Sequence, residues 1–336
     1  MKLMKKNIEH LLDIVCCPRC RAAISIERTG KTRFACSNEG CAYFLKGFPA
    51  VSDVPALIDF DTSIFSRESL EESDGRSVVP RSGRAQFIKD LVRSTVMADN
   101  GGARMAAAEF VRNCPGSNPY GRVLVIGGAG MGGGMELLYE SDKIELVATD
   151  VYASPITDVL ADAHRLPFKD DCFDGVWIQA VLEHVLDPHL VVGEIHRVLR
   201  SDGLVYSETP FMQQVHEGPY DFTRFTASGH RWLFRNFTVM AAGVVGGPGT
   251  VAIWSLRYII RSITRYKMLA AAVSMLFVWL RILDFIPNKR GNADGASATY
   301  FLGKKAAEPL QAGAMIDYYG WQIENYGNQV KDHKST

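Results

Sequence analysis

Six of the eight residues from 127 to 134 are glycine (Gly127, Gly128, Gly130, Gly132, Gly133, Gly134), and they follow directly on the apolar run Val123-Leu124-Val125-Ile126. Four apolar residues ending in glycine read as a buried strand. A loop this rich in glycine permits positive φ and lets backbone approach a ligand closely, and the helix after it opens with unpaired N–H groups. Asp150 stands twenty residues past Gly130, at the end of a second predicted strand. Read through Gly128, Gly130 and Gly133, the pattern satisfies the dinucleotide fingerprint. Read through Gly128, Gly130 and Gly132, it fits another nucleotide-bearing cofactor equally well. A chain of this kind is therefore expected to build strand, loop, helix and strand around a cofactor.

The remaining strands are placed at Leu146–Thr149, Gly175–Ile178, Leu204–Ser207, Val239–Val244 and Thr299–Phe301. Val191, Val192, Ile195, Val198 and Leu199 recur at helical spacing between two of them. This alternation predicts an α/β fold, a mostly parallel doubly wound sheet with helices on both faces. Earlier helical patterns run through Phe87, Leu91, Val92 and Val96, and through Met105, Phe110 and Val111. They are followed by a turn at residues 115–119. At 336 residues the chain exceeds a usual single domain, and 47% apolar residues exclude a mainly disordered one. Lys+Arg 37 balance Asp+Glu 37, so no global field attracts nucleic acid or an anionic surface.

Five of the seven cysteines fall in the first 41 residues. Cys17-Pro-Arg-Cys20, then fifteen residues, then Cys36 and Cys41 give C-x2-C and C-x4-C knuckles, which can set four thiolates around a tetrahedral Zn²⁺. With all four positions filled by sulfur, such a site is structural; the alternative is four reduced cysteines in a small core. The clustering argues for a metal and a reducing, cytoplasmic compartment over disulfides. The N-terminal lysines are not followed by an apolar signal segment. Residues 1–60 are expected as one small unit, 61–83 as a charged linker, 84–306 as the core with an insertion at 251–295, and 307–336 as a tail.

The cysteine stretch, with Tyr43 and residues 47–57, resembles the Trm112-like zinc-ribbon modules that precede or partner methyltransferases. Further along come Ala161-Asp162-Ala163-His164-Arg165-Leu166-Pro167-Phe168, Cys172-Phe173-Asp174-Gly175-Val176-Trp177 and Leu182-Glu183-His184-Val185. With the glycine loop and Asp150, these four ordered motifs resemble the class I S-adenosylmethionine-dependent methyltransferases of the type-11 group, over about 120–245. The resemblance implies a Rossmann-like, seven-stranded sheet with its last strand, around Ala298–Leu302, inserted antiparallel. It also implies that Gly127, Gly128 and Gly130 meet the methionine end of S-adenosylmethionine and that Asp150 meets its ribose. Asp162 and Ala163 would lie at the adenine. The chain departs from the family at the end of strand one, where Val125 and Ile126 replace the common acid.

Methyl transfer is an in-line displacement, so catalysis consists of bringing the acceptor close and removing its proton if it has one. His184 follows strand four at the edge where ligands of such sheets bind, and is either a base, a substrate-orienting group or a packing residue. After strand five, Glu208-Thr-Pro-Phe211 and His216-Glu-Gly-Pro-Tyr220-Asp221-Phe-Thr-Arg224-Phe-Thr226 resemble a type-11 segment found with carbohydrate and cell-surface biosynthesis. His216 and Asp221 join His184 as catalytic candidates, and Glu208, Tyr220 and Arg224 are substrate candidates. An Asp221–Arg224 ion pair that only fixes the loop is the alternative.

Arg257, Arg261 and Arg265 recur every four residues among Trp254, Leu256, Ile259, Ile260 and Ile263, as on a basic-edged amphipathic helix. Met268 to Leu280 carries no charge but is too short to span a bilayer, which takes about 20 residues. The segment 254–286 is either a helical lid or oligomer surface, or a peripheral membrane contact. The expected activity is methyl transfer to a small-molecule, carbohydrate or lipid-linked acceptor. Rival readings are a noncatalytic zinc-containing scaffold with a degenerate core, and a NAD-dependent oxidoreductase, which the L-P-F and L-E-H-V motifs disfavour. The lack of a sustained basic face argues against nucleic acid as substrate.

Overall fold

Leu124 and Val125, fully buried between two layers of helices, sit in the middle of a seven-stranded sheet. The structure is a computed structural model and describes residues 8–27, 32–76, 101–114, 120–130, 132–285 and 289–325. The helical pattern at Phe87–Val96 and the turn at 115–119 lie outside the described residues. Near the N-terminus, β1 (Ile24–Glu27) pairs antiparallel with β2 (Arg33–Cys36), and β3 (Ala50–Val51) with β4 (Val54–Pro55). The large sheet comprises β5 (Gly121–Ile126), β6 (Ile144–Asp150), β7 (Val159–Leu160), β8 (Phe173–Gln179), β9 (Leu199–Pro210), β10 (Phe237–Val245) and β11 (Ala298–Lys305).

Its order is β10-β11-β9-β8-β5-β6-β7. The strands run parallel except β11, which lies antiparallel between β9 and β10. This is the Rossmann-like order expected, with strand direction reversing its progress beside β5. The order of strands reverses at β5, and in sheets of this order ligands bind at the carboxyl ends of the strands beside that point. The helix Pro188–Val198 forms where it does for local reasons. Asp187 caps it by accepting the Leu190 N–H at 3.1 Å, Pro188 opens it, and Val191, Val192, Ile195 and Val198 bury one face.

The N-terminal unit does not stand apart from the core. Val15 bridges to Phe168, Cys16 N–H donates to Pro167 O at 2.9 Å, and Ala56 bridges to Leu160 on the outer edge of β7. Leu11, Phe34, Phe48 and Leu57 share one apolar core with Leu124, Phe168, Phe173 and Val176. Within the stretch 61–83 expected as a linker, Ser66 caps a helix over Arg67–Glu72, Leu70 packs with Val51 and Leu160, and Gly75 O accepts the Ala153 N–H at 2.8 Å. Within the stretch 307–336 expected as a tail, the helix Ala314–Glu324 buries Tyr318 near Arg231.

The insertion is helical, as expected. Pro248–Thr264 is followed by Lys267–Met275 and a 3-10 segment Val278–Phe285 that folds back along it. Asp284 fastens the return by accepting from Gly249 N at 2.6 Å and from the Thr250 hydroxyl at 2.6 Å. Arg265 ends the first helix in the left-handed region (φ 62°), so only Arg257 and Arg261 share its surface in helical register.

Candidate active site

The glycine loop is tied to β6 by two bonds, from Gly127 N and Gly128 N to Thr149 O, both 2.9 Å. Gly127 has φ +80°, and a Cβ there would stand 2.2 Å from Val181 Cγ2, so both conformation and space demand glycine. Gly130 differs. Among the described residues, a Cβ on it would meet no atom within 4 Å. Nothing in the packing of those residues asks for glycine at 130, and its backbone borders open space at the carboxyl end of β5.

Asp150, buried at the end of β6, accepts the Ala129 N–H at 2.9 Å and the Tyr152 N–H at 3.0 Å. It thus holds the loop it was expected to work with. Asp162 caps the short turn Ala163–Arg165, accepting from His164 N at 3.0 Å and from His164 Nδ1 at 2.6 Å. His164 Nε2 in turn accepts the Asp187 N–H at 3.1 Å, which sets its tautomer. The second oxygen of Asp162 accepts from Ser63 Oγ. Burial would raise the Asp162 pKa, but the bonds from His164 and Ser63 outweigh it and lower it. Ala163 is buried behind this turn.

Phe65 lies near Tyr152, with ring centroids 6.5 Å apart, and stacks on Tyr220 at 6.2 Å. The stretch 63–65 therefore bridges the adenine-side candidate Asp162 and the substrate-side loop. Charge and lack of periodicity made 61–83 read as a linker, so Ser63 and Phe65 were missed. Gln179 was missed as well: its Nε2 donates to Gly133 O at 3.0 Å and to Glu208 Oε2 at 2.8 Å, linking the glycine loop to β9. Tyr206 OH also donates to Glu208.

Glu183, His184 and His216 come together beyond β8. Glu183 is 1% exposed, and its Oε1 lies 3.6 Å from His184 Nε2 and 3.9 Å from His216 Nε2. Burial pushes the Glu183 carboxyl up to about 8 and lowers both histidines below their usual range. His184 Nδ1 bonds to Tyr220 O at 2.6 Å, so it donates there and leaves Nε2 a lone pair. His216 Nδ1 lies 3.3 Å from Asp221 Oδ2. Asp221 also accepts from His216 N at 2.9 Å and from both terminal nitrogens of Arg224. Burial favours protonation of Asp221, but the Arg224 guanidinium and the His216 N–H hold it at about 2. Arg224 Nε reaches Gln213 O at 3.0 Å, so the pair braces the loop that carries His216.

In the N-terminal unit, Cys17 Sγ and Cys41 Sγ lie 3.8 Å apart, Cys20 Sγ and Cys36 Sγ 3.4 Å, and all four sulfurs within 4.8 Å of one another. Sulfurs about 2.3 Å from one tetrahedral ion would be about 3.8 Å apart, so this donor set fits zinc. Cys36 Sγ also accepts the Asn38 N–H at 3.4 Å. Cys16, Cys114 and Cys172 are buried elsewhere.

Residues 128–207 match the model of the family Methyltransf_11, a methyltransferase domain. Over that stretch, about a quarter of its length, the chain is similar to a methyltransferase domain. That match begins at Gly128, holds the rest of the glycine loop, Asp150, Asp162, Glu183 and His184, and ends at Ser207 in β9. A curated relative, malonyl-[acyl-carrier protein] O-methyltransferase of Herminiimonas arsenicoxydans, is 33% identical over 81 residues, 24% of this chain. The chain spans about a third of that relative's length (31%). Among solved structures, phosphoethanolamine N-methyltransferase 2 of Haemonchus contortus in complex with S-adenosyl-L-methionine has a TM-score of 0.42 at 14% identity, over 75% of this chain and 62% of that one. A complex between the Haloferax volcanii Trm112 methyltransferase activator and a methyltransferase has a TM-score of 0.40 at 18% identity, over 68% and 100%. The strand order β10-β11-β9-β8-β5-β6-β7, not these likenesses, fixes the fold.

Proposed function

We propose that the protein is an S-adenosylmethionine-dependent methyltransferase acting by in-line displacement on a small-molecule, carbohydrate or lipid-linked acceptor. One observation carries the reading. The segment that matches a methyltransferase domain is the segment whose glycine loop, Asp150 and Asp162 gather at one sheet edge, with open space at Gly130. Gly127, Gly128 and Gly130 would receive the methionine end of the cofactor, Asp150 the ribose, and Asp162 with Ala163 the adenine. Bound there, the cofactor supplies the methyl group. The lone pairs of His184 Nε2 and His216 would accept the proton of an acceptor hydroxyl, Asp221 and Arg224 position His216, and Tyr220 and Glu208 border the acceptor space.

The acceptor reading leans toward a lipid-linked molecule. The hairpin 248–285 exposes Ile263 (76%), Leu276 (73%) and Phe285 (72%). Among the described residues no single helix is long and apolar enough to cross a membrane, but Met268–Met275 with Val278–Phe285, bent by 52°, passes that test as a pair. Tyr258 OH donates to Val215 O at 2.7 Å and Gln214 Nε2 to Ser255 Oγ at 3.1 Å, joining the hairpin to the loop that carries His216. This favours a peripheral protein on the cytoplasmic face of a membrane, with the acceptor loop held near the surface. Cys17, Cys20, Cys36 and Cys41 would hold a structural Zn²⁺.

Calorimetry with S-adenosylmethionine, S-adenosylhomocysteine and NAD tests the cofactor. Binding of the first two is expected, and binding of neither overturns the assignment. A noncatalytic scaffold is the second reading, favoured by the buried Val125 and Ile126 where an acid is common. Labelled methyl groups offered with a membrane extract should enter the lipid fraction; label only in soluble products would remove the lipid-linked acceptor. Replacing Cys17 and Cys20 by Ser should remove one equivalent of zinc, and an unchanged zinc content would remove that metal.

A further inference from the structure

Beside the proposed acceptor space, two imidazoles and a carboxylate converge without a hydrogen bond among them. His184 Nε2 and His216 Nε2 both point toward Glu183 Oε1, at 3.6 and 3.9 Å, and the ligand-capable atoms of the three lie within 4.8 Å of one another. These separations exceed hydrogen-bond lengths. They approach the spacing of about 3.0–3.6 Å between ligand atoms each about 2.1 Å from one ion, with angles of 90–120°. Glu183 is 1% exposed, and its Oε2 is buried with no hydrogen-bond partner. A buried carboxylate oxygen without a donor is costly unless something absent from the protein chain satisfies it.

The outer contacts have the form that a metal site uses. Each histidine turns Nε2 inward and Nδ1 outward: His184 Nδ1 to the Tyr220 carbonyl at 2.6 Å, His216 Nδ1 toward Asp221 Oδ2 at 3.3 Å. A carbonyl or carboxylate behind the distal nitrogen fixes the tautomer and raises ligand basicity. Asp221 is itself clamped by Arg224, so the two charges cancel and Glu183 is left to face the ion. His216 forms the exposed edge of the set. Three protein ligands with an open side leave positions for water or substrate.

We propose that Glu183, His184 and His216 form a two-histidine, one-carboxylate site for a divalent first-row transition ion, distinct from the four cysteines. The role assigned to the ion rests on the methyltransferase reading above; the site itself does not. With their Nε2 lone pairs on the ion, the two histidines would serve as ligands in place of bases, and an acceptor hydroxyl bound to the ion would lose its proton to solvent more readily. Its oxygen would form the new O–CH3 bond as the sulfonium C–S bond breaks, leaving S-adenosylhomocysteine.

The test uses the full chain, stripped with chelator and titrated with Zn²⁺ and separately with Co²⁺. Two equivalents of zinc are expected. One of the two Co²⁺ sites should lack the thiolate-to-metal charge-transfer band that the cysteine site gives. E183Q and H216A should each weaken that second site by at least about tenfold and leave the thiolate band unchanged. A wild-type chain with no Co²⁺ site free of the thiolate band overturns the proposal, as does such a site that neither variant weakens. The wild-type Co²⁺ spectrum overturns it on its own even if a variant fails to fold. S-adenosylmethionine binding, measured on the same samples, separates failure of this site from failure of the methyltransferase reading.

Discussion

Ser63 donates a hydrogen bond to Asp162 from 99 residues earlier in the chain. Asp162 stands where the adenine end of a nucleotide cofactor is proposed to lie, and Ser63 belongs to the segment joining the cysteine unit to the core. The joining segment therefore touches Asp162 directly, while the N-terminal unit meets the sheet through shared apolar packing. A hydrogen bond to a charged group contributes roughly 1.5–3 kcal/mol. Ser63→Ala should raise the dissociation constant for S-adenosylmethionine about fivefold and lower the melting temperature by a few degrees; titration calorimetry and a thermal scan on the same sample check both.

Gly127 and Gly130 should respond differently to alanine. At Gly127 the φ of +80° and the 2.2 Å approach to Val181 make a methyl group costly to the fold itself, by about 2 kcal/mol or more. At Gly130 the added methyl meets nothing among the described residues, so stability should hold while cofactor affinity falls at least about tenfold. Equal affinity in Gly130→Ala and wild type would mean that the loop backbone does not meet the cofactor there.

The exposed hairpin should bind vesicles that carry anionic lipid. Leu276 and Trp279 are 73% and 59% exposed, and burying such a side chain in an apolar phase contributes about 1.5–3 kcal/mol. Leu276→Glu with Trp279→Glu should lower co-sedimentation with vesicles more than about tenfold and leave S-adenosylmethionine binding unchanged. A wild-type chain that stays in the supernatant would instead favour a lid or an oligomer surface.

His230 should make the fold sensitive to acid. It is fully enclosed, bonded to Ser207 Oγ at 2.9 Å and Thr299 Oγ1 at 3.0 Å, and burial holds its pKa at about 3 against 6.5 unfolded. Between those values the unfolded chain binds the extra proton, so stability rises with pH. It is complete above about pH 6.5 and is lost as pH falls toward 3. At pH 5 the loss should be about 2 kcal/mol. Denaturant midpoints from pH 7 to pH 5 should show a shallower slope in His230→Gln than in wild type.

The sequence by itself determined what local pattern can express. Val123–Ile126 running into glycine, Asp150 ending the next strand, and Val191, Val192, Ile195 and Val198 on one helical face read directly, because burial on both faces or along one stripe imposes period and composition. The cysteine spacing likewise determined a four-sulfur cluster, since two short knuckles bring their own thiols together. Only the tertiary structure decided the rest. β7 is two residues long and has no period to read. Ser63 and Phe65 lie in a polar stretch whose role depends on where Asp162, Tyr152 and Tyr220 arrive. Glu183, His184 and His216 were each visible as residues, but the turn of His184 Nδ1 toward Tyr220 and of His216 toward Asp221 depends on two loops meeting beyond separate strands. Such long-range contacts leave no mark on local periodicity, and they are what bring these side chains to one place.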